Sequence, residues 1–391
     1  MIGQIAAYID DYFTHPDYPS MSIAIVFLRM IKLWRPAKIY YLIPFFMSLI
    51  FLSQVVYVLI SDQPLRYFLN IFQTGFFHLG LAKVAFYFYN HQKWLNIIYW
   101  LSDLERTQLQ DPHLKPVVLR YIRYGRTLNA VIYPFCFIVF ALNYGENYLM
   151  VAIQMESKGE IDPTYITFFW LWPTEPLKGK LIVYPYVTLQ WFYAFGGVSY
   201  LMAFDGICVS VMMGLAGQIQ VLHEMFRRAL DTDVEEQQKR NLTNCYKRYI
   251  ELVEKHETCN AIMSPVLFMY LLVASINMGM ILYSLPSLEK SSMYTSMVLV
   301  SSLIVEAFYF FWHGHEVKYQ SEIVSAAVYD CDWVEKSPEI RHLVYKMSAT
   351  TNSVLIFRAG PFNEVTVITF IAIVKVTYSF YKLMTTTVTH S

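Results

Sequence analysis

Seven stretches of this chain stay apolar long enough to cross a bilayer as helices, and polar segments separate them. They are Ile39–Ile60, Tyr67–Tyr89, Leu128–Met150, Val187–Leu215, Met263–Leu285, Tyr294–Trp312 and Val365–Thr385. A hydrocarbon core of ~30 Å takes about 20 helical residues, which each stretch supplies. The third and seventh are the most diluted. Asn143, Glu146 and Asn147 interrupt the one, and Thr366, Thr369 and Lys375 the other.

The intervening segments carry their own patterns. Leu242, Cys245, Tyr246, Tyr249, Leu252, Val253 and His256 repeat at i, i+3, i+4, i+7, while Lys247, Arg248, Glu251, Glu254 and Lys255 take the opposite face. Ile340, Leu343, Val344 and Met347 form a shorter stripe. Over 216–262 and 313–364 two readings stand: a partly exposed cytoplasmic extension of the fifth and sixth helices, or, since stripes this apolar need a partner, a helical packing region shared between subunits, which is the one favoured. Segment 151–186 holds Phe168, Phe169, Trp170, Trp172, Pro173, Pro176 and Pro185, and is expected to fold as a lid over the helix ends.

Composition agrees with a membrane class. Apolar residues make up 56% and charged residues 15%, against about 25% charged in a soluble domain. The zero net charge offers no basis for nucleic-acid binding. Residues 1–38 begin with Asp10, Asp11 and Asp17 and lack a short apolar core with a small-residue cleavage site, so a retained N-terminus is expected.

Charge sets the orientation. Lys and Arg in 1–38, 90–127, 216–262 and 313–364 number 22, against 6 on the opposite side with Lys382 included. That bias places residues 1–38 in the cytoplasm and 386–391 outside. The expected order is a cytoplasmic segment (1–38), four helices with the lid (39–215), a cytoplasmic anchor (216–262), two helices (263–312), a second anchor segment (313–364), a seventh helix (365–385) and an extracellular tail (386–391). All five cysteines fall in the apolar stretches or on the inner side, so no extracellular disulfide is expected. The one Asn-x-Ser/Thr sequon, Asn241-Leu242-Thr243, lies on the inner side and is expected to be silent.

Candidate chemistry is sparse. The ionisable residues inside the apolar stretches are His78, Lys83, Glu146, Asp205, Glu306 and Lys375. A charge at the bilayer centre costs at least ~2.5–3.5 kcal/mol, so each must face protein or water. Lys83 and Glu146 lie near stretch ends and could snorkel, whereas Asp205 and Glu306 are deeper and could pair or gate. His313 and His315 are two apart and share no helix face, which argues against a metal site. No nucleophile elbow, phosphate loop, paired CxxC or HExxH occurs, so neither an enzyme nor a cofactor is expected. Aromatics recur instead: Phe68, Phe72 and Phe76 on the second stretch, Phe137, Phe140, Tyr144 and Tyr148 on the third, and Phe192, Phe195 and Ser199 on the fourth. Their convergence at one depth, in the outer half, predicts a small apolar pocket with a few hydroxyls, suited to volatile, weakly polar molecules.

The last third carries Phe311-Trp312-x-Gly314-x-Glu316-Val317, Ser321, Ala327-x-Tyr329-x-x-Asp332-Trp333, Ala359-Gly360-x-Phe362, Phe370 and Tyr378-Ser379-Phe380, and Trp172-Pro173 precedes it. This series resembles insect odorant receptors. The resemblance implies an all-α membrane protein of seven helices that assembles as a tetramer around a central pore, an odorant-gated nonselective cation channel. It implies ligand contacts among helices two to six, to which Met280 and Met297 are added. Val374, Lys375, Thr377, Tyr378, Tyr381 and Thr385 would form the pore and gate. Tyr381 and Thr385 stand where the family usually carries aliphatic side chains. Tyr249, Leu252, Trp312, Tyr329, Trp333, Gly360 and Phe362 would serve the anchor and subunit packing. The short 216–262 segment looks like that of a ligand-tuning subunit, which implies a co-receptor as partner, a small volatile odorant as ligand, membrane lipid around the helices, and the plasma membrane of the sensory dendrite. A gustatory-type channel of the sister family is the alternative, and so is a metabotropic seven-helix receptor. The missing Gln-Phe after Thr377-Tyr378 argues against the first, and the charge bias against the second.

Overall fold

In the computed structural model, residues 16–60, 64–161, 177–284 and 290–389 are described. The lid residues Phe168 to Pro176 lie outside the described residues, as do the side chains of Phe72, Phe76, Met280 and Thr385.

Over the described residues the chain is mostly helical. The helices are α1 (Ser22–Met30), α2 (Leu42–Ile60), α3 (Pro64–Tyr89), α4 (His91–Gln108), α5 (Lys115–Lys158), α6 (Lys180–Arg227), α7 (Glu235–Ser284), α8 (Lys290–Glu322), α9 (Val324–Tyr329), α10 (Pro338–Thr350) and α11 (Val367–Thr389). Two short antiparallel hairpins interrupt them. One pairs Glu160–Ile161 with Leu177–Lys178, the other Arg358–Ala359 with Asn363–Glu364. The described part of each apolar stretch falls largely within a helix, with Ile39–Tyr41 in a short 3-10 turn and 365–366 ahead of α11, but several helices run far beyond it. At 1.5 Å per residue, the 48 residues of α6 extend roughly 70 Å, more than twice a bilayer core. Among the described residues, α5, α6, α7 and α8 contain segments long and apolar enough to cross a membrane. The lid segment is shorter than expected, since α5 continues to Lys158 and α6 starts at Lys180. Gly159, at φ +69°, ends α5 in the left-handed region that a residue with a Cβ resists. The 90–127 segment likewise holds all of α4 and the first turns of α5.

Helix α6 is the axis of the fold. It is buried along its whole apolar segment, as a helix apolar on every side should be. Small residues let its neighbours approach. A Cβ on Gly80 of α3 would stand 2.4 Å from the Gly197 carbonyl oxygen, and one on Gly206 would overlap the Tyr133 ring of α5. By contrast α5 turns Val131, Phe135, Ile138, Leu142, Leu149 and Ile153 outward, and α2 exposes Phe45, Leu49 and Leu52. Apolar bands of this extent belong in lipid.

The stripe on α7 is already covered by its own chain. Leu242, Cys245, Tyr249, Leu252 and His256 are buried. Ser353 donates its backbone N–H to the Tyr249 hydroxyl at 3.2 Å, and the His256 ring lies edge-on to Phe357 at 4.6 Å. Trp312, Tyr329 and Phe362 remain exposed, and Trp333 packs on Tyr329 at 5.9 Å. The Arg358–Ala359 hairpin is pinned to α7. Arg358 donates its N–H to Asn260 Oδ1 at 2.8 Å, and Gly360 to Ser264 Oγ at 3.0 Å. Gly314 gives the backbone of Val365 room to cross α8, where a Cβ would lie 2.6 Å from the Val365 oxygen.

Residues 19–20 are fastened at the same end of the bundle. The buried Glu105 carboxylate accepts the Ser20 N–H at 2.9 Å and the Tyr121 hydroxyl at 3.2 Å. Arg126 Nε donates to the Pro19 carbonyl at 2.7 Å. Burial pushes the Glu105 carboxyl up to about 7, against the opposing pull of these hydrogen bonds.

Candidate functional site

Near the Gly159–Gly179 end, α5 and α6 face each other across a wall of rings. The helical period sets Phe137, Phe140 and Tyr144 on one side of α5 and Trp191 and Phe195 on one side of α6. Phe140 stacks on Tyr144 at 4.7 Å, Phe137 on Phe195 at 5.4 Å, and Trp191 lies almost parallel to Phe195 at 5.4 Å. Phe140 also meets Trp191 at 5.4 Å and Phe195 at 5.9 Å. Such offset and edge contacts suit aromatic and weakly polar guests. Trp191 was not among the sequence candidates, although it stands one turn before Phe195 and so on the same face.

The other candidates are placed differently. Phe192 is 61% exposed and meets the wall at its edge, its ring 5.6 Å from that of Trp191 and perpendicular to it. Tyr148 pairs with Tyr184 at 6.2 Å, beyond the cluster. Ser199 is buried, and its hydroxyl donates to the Phe195 carbonyl at 2.7 Å, so it is tied to its own helix. Met297 is exposed on α8.

A polar group adjoins the wall. His78 of α3 sits between Gln54 of α2 (Nε2 to Oε1, 2.7 Å) and the Tyr193 hydroxyl of α6 (3.2 Å from Nδ1). Phe51 covers the imidazole at 4.6 Å. His78 is an ionisable residue for which sequence reasoning had no partner. Its partners come from helices distant in the chain, so no local spacing could have revealed them.

Deeper in the bundle, Lys83 is fully buried rather than snorkelling. Its Nζ reaches Asp205 Oδ1 at 2.6 Å and Glu306 Oε1 at 2.9 Å, which joins α3, α6 and α8. The ammonium also lies over the Tyr270 ring at 4.8 Å and the Phe310 ring at 5.6 Å. A neighbouring chain of hydrogen bonds runs from the Tyr309 hydroxyl to Asn129 Oδ1 (2.8 Å) and from Asn129 Nδ2 to Ser210 Oγ (2.9 Å). The buried Asp205 and the part-buried Glu306 thus share one cation, so two carboxylates divide a single positive charge. Glu146, the other residue assigned to a stretch end, is partly buried on α5.

On α11 the predicted pore residues divide between two faces. Val374, Thr377 and Tyr381 lie on the half-buried side, where Thr377 donates to the Ile373 carbonyl at 2.9 Å and Phe370 meets Phe308 at 5.5 Å. Lys375 is exposed, as is Tyr378 at 65%. On α8, His313 Nδ1 lies 2.6 Å from the Tyr309 carbonyl oxygen and its Nε2 3.2 Å from the Tyr124 hydroxyl. Among the described residues, no cluster of three or more His, Cys, Asp or Glu could hold a metal ion.

Comparison with known proteins agrees with this architecture. The family described as 7tm Odorant receptor matches residues 63–378. Odorant receptor 2a of Drosophila melanogaster is 31% identical over 104 residues, which is 26% of this chain and 26% of that protein, so the match spans about a quarter of this curated relative. The fold resembles the structure of the olfactory receptor OR5 from Machilis hrabei with a TM-score of 0.73. At 12% identity, that likeness covers 92% of this chain and 96% of the other. Against the same receptor in complex with eugenol the TM-score is 0.64 at 11% identity, over 98% and 99% of the two chains.

Proposed function

Because the chain belongs to the 7tm odorant receptor family, we propose that it is the odorant-binding subunit of a heteromeric, odorant-gated, nonselective cation channel of insect olfactory neurons. It is a membrane receptor rather than an enzyme. In this reading seven helices (α2, α3, α5, α6, α7, α8 and α11) cross the plasma membrane of the sensory dendrite. The charge bias holds the N-terminus in the cytoplasm and the C-terminus outside. A small volatile molecule binds in the outer half, against the rings of α5 and α6. Four subunits, including the family's co-receptor, surround a pore lined by the last helix, and the segments from α9 to the Arg358–Ala359 hairpin anchor them on the inner side.

The wall formed by Phe137, Phe140, Tyr144, Trp191 and Phe195 carries this proposal. Five rings from two facing helices form a surface for an apolar guest, and the adjoining polar group offers it orientation. Binding opens the pore only as far as the odorant prefers the open arrangement over the closed one. Among the described pore candidates, Lys375 and Tyr378 lie on the exposed face of α11, free to face a central axis.

Co-expression with the family co-receptor and recording of odour-evoked current tests the proposal. A cation current that depends on both subunits is the expected result. Silence across a broad odour panel, with the chain confirmed at the cell surface, would count against it. An extracellular N-terminal tag would favour a metabotropic seven-helix receptor instead.

A further inference from the structure

Between Asp17 and Asp62 the chain carries no acidic residue, and its four basic ones, Arg29, Lys32, Arg35 and Lys38, all fall just ahead of α2. The structure gathers the first three; the Lys38 side chain lies outside the described residues. Pro19 and Ser20 are tied to Arg126 and Glu105, and from there α1 runs along α5 until Phe27 meets Tyr133 at 4.8 Å and Phe137 at 6.1 Å. Lys32 then follows α1 in the left-handed region, at φ +61°, and the Leu33 N–H closes on the Leu28 carbonyl at 2.8 Å. Glycine takes that conformation more easily; a lysine keeps the turn and adds a cation. Beyond the turn, Trp34 packs back on Tyr18 at 5.3 Å and on Tyr99 of α4 at 6.2 Å. The charged ends collect on these rings. The Arg29 guanidinium lies over the Tyr18 ring at 5.8 Å, Arg35 Nη2 donates to the Tyr99 hydroxyl at 2.9 Å, and the two tyrosine rings are 6.3 Å apart. Arg29, Lys32 and Arg35 are exposed. Among the described residues no carboxylate pairs with Lys32 or Arg35, and Asp17 lies 3.7 Å from Arg106. Met30 and Ile39 flank the group, 71% and 68% exposed.

Exposed cations set among tyrosine and tryptophan rings, and bordered by exposed apolar side chains, have the layout of a membrane interface. Rings sit at headgroup depth, aliphatic side chains lie in the acyl region, and long basic side chains reach back to the phosphates. We propose that Arg29, Lys32 and Arg35 form a binding site for the headgroup of an anionic phospholipid of the inner leaflet, with Met30 and Ile39 against its acyl chains. The inference rests on the reading that α2 enters the membrane from the inner side. It goes beyond that reading by naming a lipid class, since a zwitterionic bilayer covers the apolar faces equally well. Each basic residue near an anionic surface raises the preference about fivefold. Free phosphate shares the headgroup's chemistry, but it has no use for the exposed Met30 and Ile39.

The test uses the full-length chain with its co-receptor in nanodiscs that contain a photoactivatable phosphatidylserine or its phosphatidylcholine counterpart. It reads which peptides of this chain carry label, and so depends on neither odorant binding nor pore opening. The wild type is expected to take about tenfold more label on 29–39 from the serine lipid than from the choline lipid. Lys32→Asn, which tolerates the left-handed turn, combined with Arg35→Gln is expected to remove most of that excess. Lys32→Arg with Arg35→Lys is expected to keep it. Inorganic phosphate at matched ionic strength is expected not to compete, and loss of the label to it would assign the site to free phosphate and overturn the lipid assignment. Equal labelling by the two lipids, or an excess unchanged in the charge-removed variant, overturns the inference while the placement of α2 in the membrane stands. No label on 29–39 from either lipid removes both. Should the double variant fail to fold, Lys32→Asn decides alone: a fall of about fivefold is expected, and an unchanged excess overturns the inference.

Discussion

Lys83 and Asp205 stand 122 positions apart in the chain and meet at 2.6 Å in the interior of the bundle, where Lys83 has no exposed surface. Glu306 closes the group from a third helix at 2.9 Å. The three residues together join α3, α6 and α8, so their energetics bear directly on how the bundle holds its shape.

Removing the cation alone is the severe change. Lys83→Met leaves two buried carboxylates without their partner and is expected to destabilise the receptor by about 3–5 kcal/mol. The triple variant Lys83→Met, Asp205→Asn, Glu306→Gln removes the charges together and is expected to recover most of that loss. Thermal unfolding in detergent, read as the fraction of monodisperse receptor, compares the two. Equal damage in both would show that the polar shape matters and the charge does not.

Glu105 makes stability depend on pH. Its folded carboxyl, raised by burial to about 7, lies above the ordinary value of 4.5. The stability it contributes is fully present below about 4.5 and is lost as pH rises through 7, by an amount on the order of 3 kcal/mol. Glu105→Gln is expected to flatten the slope of melting temperature between pH 4.5 and 8. A slope unchanged in this variant would move the effect to another group.

The glycines on helix crossings separate into two kinds. Gly80→Ala forces a methyl against the Gly197 carbonyl oxygen, a backbone atom that cannot swing aside. It is expected to cost at least ~1–3 kcal/mol and to cut surface expression. Gly145→Ala has open space around it and is expected to be neutral or slightly stabilising. Surface biotinylation with melting temperature tells them apart.

The aromatic wall predicts a sided effect on odour response. Trp191→Ala and Phe195→Ala are expected to shift the half-maximal odorant concentration by about tenfold, within the range of ring-pair energies, with surface levels near normal. Leu189→Ala, two residues before Trp191 but on the exposed face, is expected to leave the response unchanged. Concentration–response curves for the three variants decide the matter.

The sequon gives a weaker test of orientation than its position suggests. Asn241 lies inside α7, its Nδ2 donating to the Ala229 carbonyl at 3.1 Å, and Leu242 is fully buried. It is expected to remain unglycosylated in either orientation. Tags at the two ends, stained with and without permeabilisation, are the measurement that separates inside from outside.

Local pattern was enough to locate the long apolar helices, because hydrophobic length and period are written in consecutive residues, but α1 and α4, which are shorter and lie in segments read as a tail and a loop, were not read from it. The α7 stripe, the apolar stretches and the rings of α5 were all legible in that way. So was the family, from a run of residues whose roles become clear in the fold: Gly314 and Gly360 sit where a Cβ would collide with Val365 and Phe268. Which faces meet is a different matter. Lys83, read as a helix-end lysine, is a buried counter-ion, Tyr249, read as an anchor or subunit-packing residue, is buried within its own chain, and Trp191 gains its meaning from Phe140 on another helix. Periodicity names a face, but only the packing of distant helices decides what that face meets, since burial and charge pairing are properties of neighbours in space.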